Sequence, residues 1–257
     1  DTNTEHVNAL NQKGAAVTGY VQFSAAVKAL TPGRIQGTYD LVFLLTKQTA
    51  NEAVMNRLLP HLHASSIICT LQNGLPEEQI AAYAGQEKVI GGIVGFGATW
   101  QEPGVSVLTS PPETLEKYAF VIGEPDGAVT PRLQRVKDLL DSVGHCKIVD
   151  NLISIKWTKL LVNATFSGMS AALGCTYGQV LDDPRAMQCV AHIANETIKV
   201  AHALGIRLTD MQGEDLEQLA LSAGETYLDK MDIYRKVWGP HSRLKASMLQ
   251  DLEKGQK

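Results

Sequence analysis

Between Ile155 and Gly168 the chain reads IKWTKLLVNATFSG. Trp157, Leu160, Leu161, Val162, Ala164 and Phe166 make this stretch apolar enough to be buried, yet it carries Lys159 and Asn163 one helical turn apart. On a helical wheel Lys156, Lys159, Asn163, Ser167 and Ser170 fall within an arc of roughly 80°. A surface helix has a wide polar face, and this one has a narrow polar stripe. A buried polar group without a partner costs about 1–3 kcal/mol, so such a stripe must meet water, a ligand or polar protein groups. An ammonium beside an amide and a hydroxyl suits an anion that bears a carbonyl. The plainer alternative is a lysine that snorkels at the helix edge while Asn163 bonds backbone.

A second set of candidates lies at the ends of apolar strands. Tyr39–Lys47 (YDLVFLLTK) and Ile67–Leu71 are continuous rather than alternating runs, as expected of strands covered on both faces of a parallel sheet. They end in Thr46-Lys47-Gln48 and Gln72-Asn73-Gly74, and a third strand runs out through Gly97-Ala98-Thr99. In open parallel sheets ligands bind beyond the carboxyl ends of the strands. Three such ends define one expected binding edge, although Asn-Gly is also a common turn pair. Near the end of the chain, Ser247 and Asp251 are one turn apart in LKASMLQDLEKGQK, which by itself reads as a surface helix.

The elements needed to position these residues follow from periodicity. QTANEAVMNRLLPHL has helical spacing, a short helix spans Glu77–Tyr83, and KVIGGIVGFGAT is the next strand. This β-α-β-α-β rhythm predicts a doubly wound sheet. GVSVLTS and YAFVIG read as two strands with no helix between them, an antiparallel extension at the sheet edge. PRLQRVKDLLDSVG has proline at its start and glycine at its end, as helices prefer. After CKIVD the strand signals vanish. Asp183 is the expected N-cap, Pro184 the first turn and Gly205 the C-terminal stop of a long helix, with further helices at about 213–224 and 243–254. The domain boundary is placed near Asp150: residues 1–150 as a doubly wound α/β domain, 151–257 as a helical domain.

Composition narrows the class. The 257 residues are 44% hydrophobic and 19% charged, with a net charge of −4 and charges in short runs, so neither a nucleic-acid groove nor a basic membrane patch is indicated. No apolar run approaches membrane-spanning length. Cys69, Cys146, Cys175 and Cys189 form no CxxC pair, and the seven histidines form no HxxxH or HExxH motif. Reduced thiols, a cytoplasmic location and no metal site are expected.

Taken in order, the strand-end lysine of LLTKQ, the LQNGL turn, the GG….GAT…PG segment at 91–104, the KW.KLLVN helix and SMLQD resemble the ketopantoate reductase family over almost the whole chain. The resemblance implies an NADPH-binding Rossmann domain followed by an all-helical domain. It implies that Lys159 is the catalytic lysine, that Asn163 and Ser247 bind the 2-keto acid, and that Lys47 and Asn73 lie near the nicotinamide and its ribose. Gly97 and Ala98 join the cofactor-binding set, and Ser167 stands where the family helix often has a second, substrate-contacting asparagine. The family's glycine-rich GxGxxG loop is absent, and its glutamate, in a TEID-like motif, would fall beyond Lys257. The first βα unit and the C-terminal end of the family pattern are therefore expected to lie outside these residues. Asp1 falls about where the second strand should end, and an acidic residue there favours NAD. Reduction of ketopantoate to pantoate by a homodimer is the leading expectation. A D-2-hydroxyacid dehydrogenase for branched or aromatic 2-keto acids is the rival, and a non-catalytic nucleotide-binding member is the remote alternative.

Overall fold

The computed structural model describes residues 1–255. The chain divides into two compact units, Asp1–Leu152 and Ile153–Lys257.

The first unit is Rossmann-like. Its main sheet has the order β3 (Tyr39–Leu44), β4 (Leu62–Thr70), β5 (Val89–Val94), β8 (Phe120–Gly123), β9 (Cys146–Ile148). The β3, β4 and β5 strands are mutually parallel, β8 runs antiparallel to β5, and β9 is parallel to β8. The C-terminal half of β4 and most of β5 are covered on both faces, as continuous apolar runs require. The β3 strand, expected to be covered likewise, is the edge strand of this sheet and leaves Phe43 36% and the following Leu45 63% exposed. Alternate residues of β4 go to opposite sides. Ile67 and Cys69 join Ile90, Phe120, Ile122, Leu133 and Val136 in one core, and Ile68 joins Leu44, Met55, Ile80 and Val89 in the other. The helices supplying the second core are α2 (Asn51–Leu58) and α3 (Glu77–Ala84); α5 (Pro131–Leu140) supplies the first.

A smaller sheet, in the order β2 (Phe23–Ala25), β1 (Ala15–Gly19), β7 (Val105–Leu108), β6 (Ala98–Glu102), follows the opening helix α1 (Thr4–Lys13). Asn3 caps α1 by accepting from the His6 N–H at 3.0 Å, while Asp1 accepts from the Asn3 N–H at 2.7 Å. The predicted strand through KVIGGIVGFGAT is thus two strands, β5 and β6, in two different sheets. The stretches read as consecutive strands, β7 and β8, also belong to different sheets, with helix α4 (Pro112–Tyr118) between them. Seven residues are too few for a helical period to emerge from sequence.

The second unit is helical. It contains most of α6 (Leu152–Val162), then a π-helical turn at Asn163–Ser167, α7 (Gly168–Leu173), α8 (Tyr177–Asp182), α9 (Pro184–Ala203), α10 (Met231–Trp238) and α11 (Ser247–Glu253). Asp183 caps α9 as expected, accepting from the Arg185 and Ala186 N–H groups at 2.8 and 2.9 Å. Gly205, two residues past the helix end, has φ +73°. The helix expected at 213–224 does not form. Gly213 and Gly224 both have positive φ, and between them only a 3₁₀ turn, Leu216–Leu219, is capped by Asp215. The helix expected at about 243–254 is the shorter α11. No helix among the described residues is long and apolar enough to cross a membrane.

One buried ion pair secures the first unit. Glu124, 3% exposed, accepts from Arg132 Nε at 2.7 Å, from a second Arg132 nitrogen, and from the Thr130 hydroxyl. Arg132 also donates to the Val89 carbonyl at 3.2 Å, which ties α5 to the start of β5. Removing one partner strands the other charge. Arg132→Ala is expected to destabilise the protein by about 3 kcal/mol, read as a lowered midpoint in urea unfolding.

Candidate functional site

The β3 and β4 strands end side by side, with Leu44 paired to Thr70. The backbone then continues into the two polar turns predicted from sequence, and a side-chain network joins them. Buried Gln72 donates to the Thr46 carbonyl, to the Thr46 hydroxyl at 3.3 Å and to Asn51 Oδ1 at 2.8 Å. Its own oxygen accepts from the Thr70 hydroxyl at 3.2 Å. Asn51, the first residue of α2, passes the bracing on to Gln79 at 2.9 Å. The Gln48 amide donates to the Asn73 carbonyl. Gly74 has φ +78°, and a Cβ there would lie 2.4 Å from the Gln48 amide nitrogen, so the turn is closed tightly. Lys47 and Asn73 remain exposed at this edge.

The Gly97 backbone bonds within the protein. Its N–H donates to Ser110 Oγ at 2.7 Å, and its carbonyl accepts from the Thr109 and Ser110 N–H groups at 2.9 and 3.3 Å. Its backbone is engaged within the protein, and it can offer a ligand little beyond the absence of a side chain. Ala98 is exposed at the start of β6. Gln48 was among the strand-end residues expected here, whereas Asn51 was missed as a member of this edge; its only sequence signal was an amide three residues beyond Gln48, at the start of the next helix.

In the helical unit, Lys156 is 1% exposed and Lys159 is half-buried, both on α6. Burial, and then the like charge of Lys156, lower the Lys159 pKa to about 8. Thr158 fixes the same turn from another side. Its hydroxyl donates to the Ser154 carbonyl at 3.0 Å and lies 3.0 Å from Thr209 Oγ1, and it accepts from the Thr209 N–H at 2.8 Å.

The helix does not stay regular through the polar stripe. Asn163–Ser167 is π-helical, so the wheel that placed Lys159, Asn163, Ser167 and Ser170 on one arc loses phase here. Thr165 donates to the Leu161 carbonyl at 2.6 Å. Phe166 stacks on Trp238 at 4.4 Å and meets Tyr177 and Tyr234 at 5.7 and 6.0 Å, which anchors the turn in an aromatic core. Ser170 donates to the Cys175 carbonyl. Ser167, expected as a substrate contact, is buried with its oxygen 2.6 Å from Tyr177 Oη. Asn163 stays half-buried one turn beyond Lys159. Ser247 is exposed at the first position of α11, a helix that packs on α7 and on the π-helical turn.

A Rossmann-like unit followed by a helical unit defines the architecture, a two-domain α/β-plus-α protein. Models of the ketopantoate reductase family match both units: the PanE/ApbA model at residues 1–118 and its C-terminal model at 151–257. The chain belongs to the ketopantoate reductase family, whose members are oxidoreductases acting on a 2-keto acid. It is 28% identical over 235 residues to a 2-dehydropantoate 2-reductase of Pyrococcus horikoshii, covering 90% of this chain and 74% of that one. With the enzyme of that name from Archaeoglobus fulgidus the identity is 27%, covering 85% and 65%. The chain thus spans about two thirds to three quarters of the length of these relatives. Among solved structures, 2-dehydropantoate 2-reductase from Geobacter metallireducens superposes with a TM-score of 0.74 at 27% identity, covering 97% of this chain and 77% of that one. D-Mandelate dehydrogenase, solved with NADH and anilino(oxo)acetate, shares the fold with a TM-score of 0.79 at 20% identity over 99% and 76%.

Lys159 is expected to titrate near pH 8 and Lys156→Met to raise that value while leaving it below the 10.5 of a free lysine, because burial is the larger cause. The Cε resonance of ¹³C-labelled lysine, followed against pH, measures both.

Proposed function

We propose that the protein reduces ketopantoate to pantoate with NADPH, Lys159 acting as the general acid. A single feature carries this reading: an ammonium on an apolar helix whose proton is held near pH 8. A reduced nicotinamide, when bound, supplies the hydride. Lys159 holds its proton where the keto oxygen becomes an alkoxide, stabilises that charge and then neutralises it. Asn163, one turn on, orients the substrate. Ser247 binds the substrate carboxylate from α11. Residues 1–150 serve as the dinucleotide-binding domain and 151–257 as the substrate domain, and the working enzyme is a cytoplasmic homodimer.

The fit to a dinucleotide is good at one end. Lys47 and Asn73 stand exposed on a backbone edge braced by Gln72, Asn51 and Gln48, which suits the nicotinamide and its ribose. The Gly97 backbone is engaged elsewhere, and Ala98 offers exposed small surface. The 257 residues contain no GxGxxG sequence for the pyrophosphate.

The rival substrate class has one observation in its favour. Ser167 replaces the family's second asparagine, and Tyr177 takes up its hydroxyl. That polar contact is withdrawn from the substrate, as suits a branched or aromatic 2-keto acid with either NADH or NADPH. Coenzyme oxidation at 340 nm with ketopantoate, phenylpyruvate and benzoylformate decides between them. A higher kcat/KM for an aromatic keto acid rejects ketopantoate.

Lys159→Ala is expected to lower kcat at least a hundredfold, with the circular dichroism spectrum and melting temperature retained. The protonated lysine is the acid, so the rate of keto acid reduction should be flat below pH 8 and fall as pH rises through about 8. Oxidation of the hydroxy acid needs the neutral amine, so its rate should rise through the same pH. Wild-type turnover in Lys159→Ala, or a falling limb that survives in it, removes the lysine from the mechanism.

A further inference from the structure

This inference rests on the proposed contact between Asn163 and a 2-keto acid. We propose that Tyr177 is a positioning residue: through Ser167 it keeps the side-chain oxygen of Asn163 turned inward, so that Asn163 meets the substrate with N–H donors. Ser167 Oγ lies 2.6 Å from Tyr177 Oη and donates to Asn163 Oδ1 over a long 3.5 Å. A serine hydroxyl has one proton. With that proton given to Asn163, the bond from Tyr177 must be donated by the phenol. The chain of donation therefore runs from Tyr177 to Ser167 to Asn163. Its outer end is the Asn163 amide NH₂, two donors for a carboxylate or keto oxygen.

The inner groups are fixed. Ser167 and Tyr177 are 4% and 6% exposed, so water does not compete freely for either hydroxyl. Burial raises the Tyr177 pKa against the lowering effect of the Ser167 hydrogen bond, which keeps the phenol protonated. Tyr177 opens α8, where Thr176 and Gln179 form a reciprocal cap, and its own N–H donates to the Leu244 carbonyl at 3.1 Å. Its ring leans on Phe166, the residue before Ser167. The π-helical geometry matters because it sets where Ser167 stands relative to Asn163. A long bond of this kind can tighten when substrate engages the far side of the amide.

The test compares Tyr177→Phe, Ser167→Ala and their double variant. Each single change is expected to raise KM for the 2-keto acid about tenfold, with kcat changed less than threefold and KM for the coenzyme unchanged. The double variant should be no worse than either single one, because both remove the same relay. Ser167→Thr, which keeps the hydroxyl, should restore KM. A lowered melting temperature with unchanged KM, or additive effects in the double variant, overturns the proposal. Should the wild-type protein reduce no 2-keto acid, the proposed function fails, and the relay is read instead by binding of unreactive oxamate. Oxamate should then shift the ¹⁵N side-chain amide signals of Asn163 in wild type and much less in Tyr177→Phe. Signals that oxamate leaves unmoved in wild type, or moves equally in both proteins, overturn the relay.

Discussion

Holding a positive charge on an apolar helix is the constraint around which the helical unit is built. An ammonium loses hydration when it is buried, and a second ammonium three residues away raises the cost further. The result is a Lys159 proton bound far more loosely than in water, with a pKa of about 8. A group like this keeps its place only when its neighbours cannot rearrange to relieve it. The neighbours here are well tied. Thr158 is bonded to both Ser154 and Thr209, and Phe166 is stacked on Trp238. The π-helical turn that follows forfeits regular α hydrogen bonding, and the aromatic packing beneath it supplies compensation.

The first unit solves a different problem, that of polar turns at the ends of buried strands. Gln72 sits at the end of an apolar run, where a buried amide without partners would be destabilising. Its donors and its acceptor are all used, by Thr46, Asn51 and Thr70. A satisfied network in a low-dielectric setting is stiff. It leaves Lys47 and Asn73 facing outward from a backbone that cannot readily shift. The same logic applies where Glu124 receives Arg132 and Thr130: the carboxylate is buried because every lone pair it directs inward is met.

Much of this was legible before any coordinates. The continuous apolar run in β4 implied a strand covered on both sides, and its alternate residues do enter two separate cores, whereas the similar run in β3 lies at the sheet edge and stays half-exposed. Asp183, Pro184 and Gly205 marked α9 because capping and proline geometry are local properties. Local signals failed where the element was short or where glycine broke the pattern. The seven residues of α4, opened by Pro112 after Pro111, hid just before a strand, and Gly213 and Gly224 turned an apparent helix into a 3₁₀ turn between positive-φ glycines.

The identities and order of the residues determined that lysines would interrupt an otherwise apolar helix one turn before an asparagine, and that polar turns would close apolar strands. Both follow from the backbone period alone. Which hydroxyl meets which amide was decided by tertiary structure. Ser167 and Tyr177 are ten positions apart on different helices. Their 2.6 Å contact joins the first turn of α8 to a π-helical turn that packs, through Phe166, on a tryptophan more than seventy residues further on. No periodicity encodes that contact, since it depends on packing between separate segments.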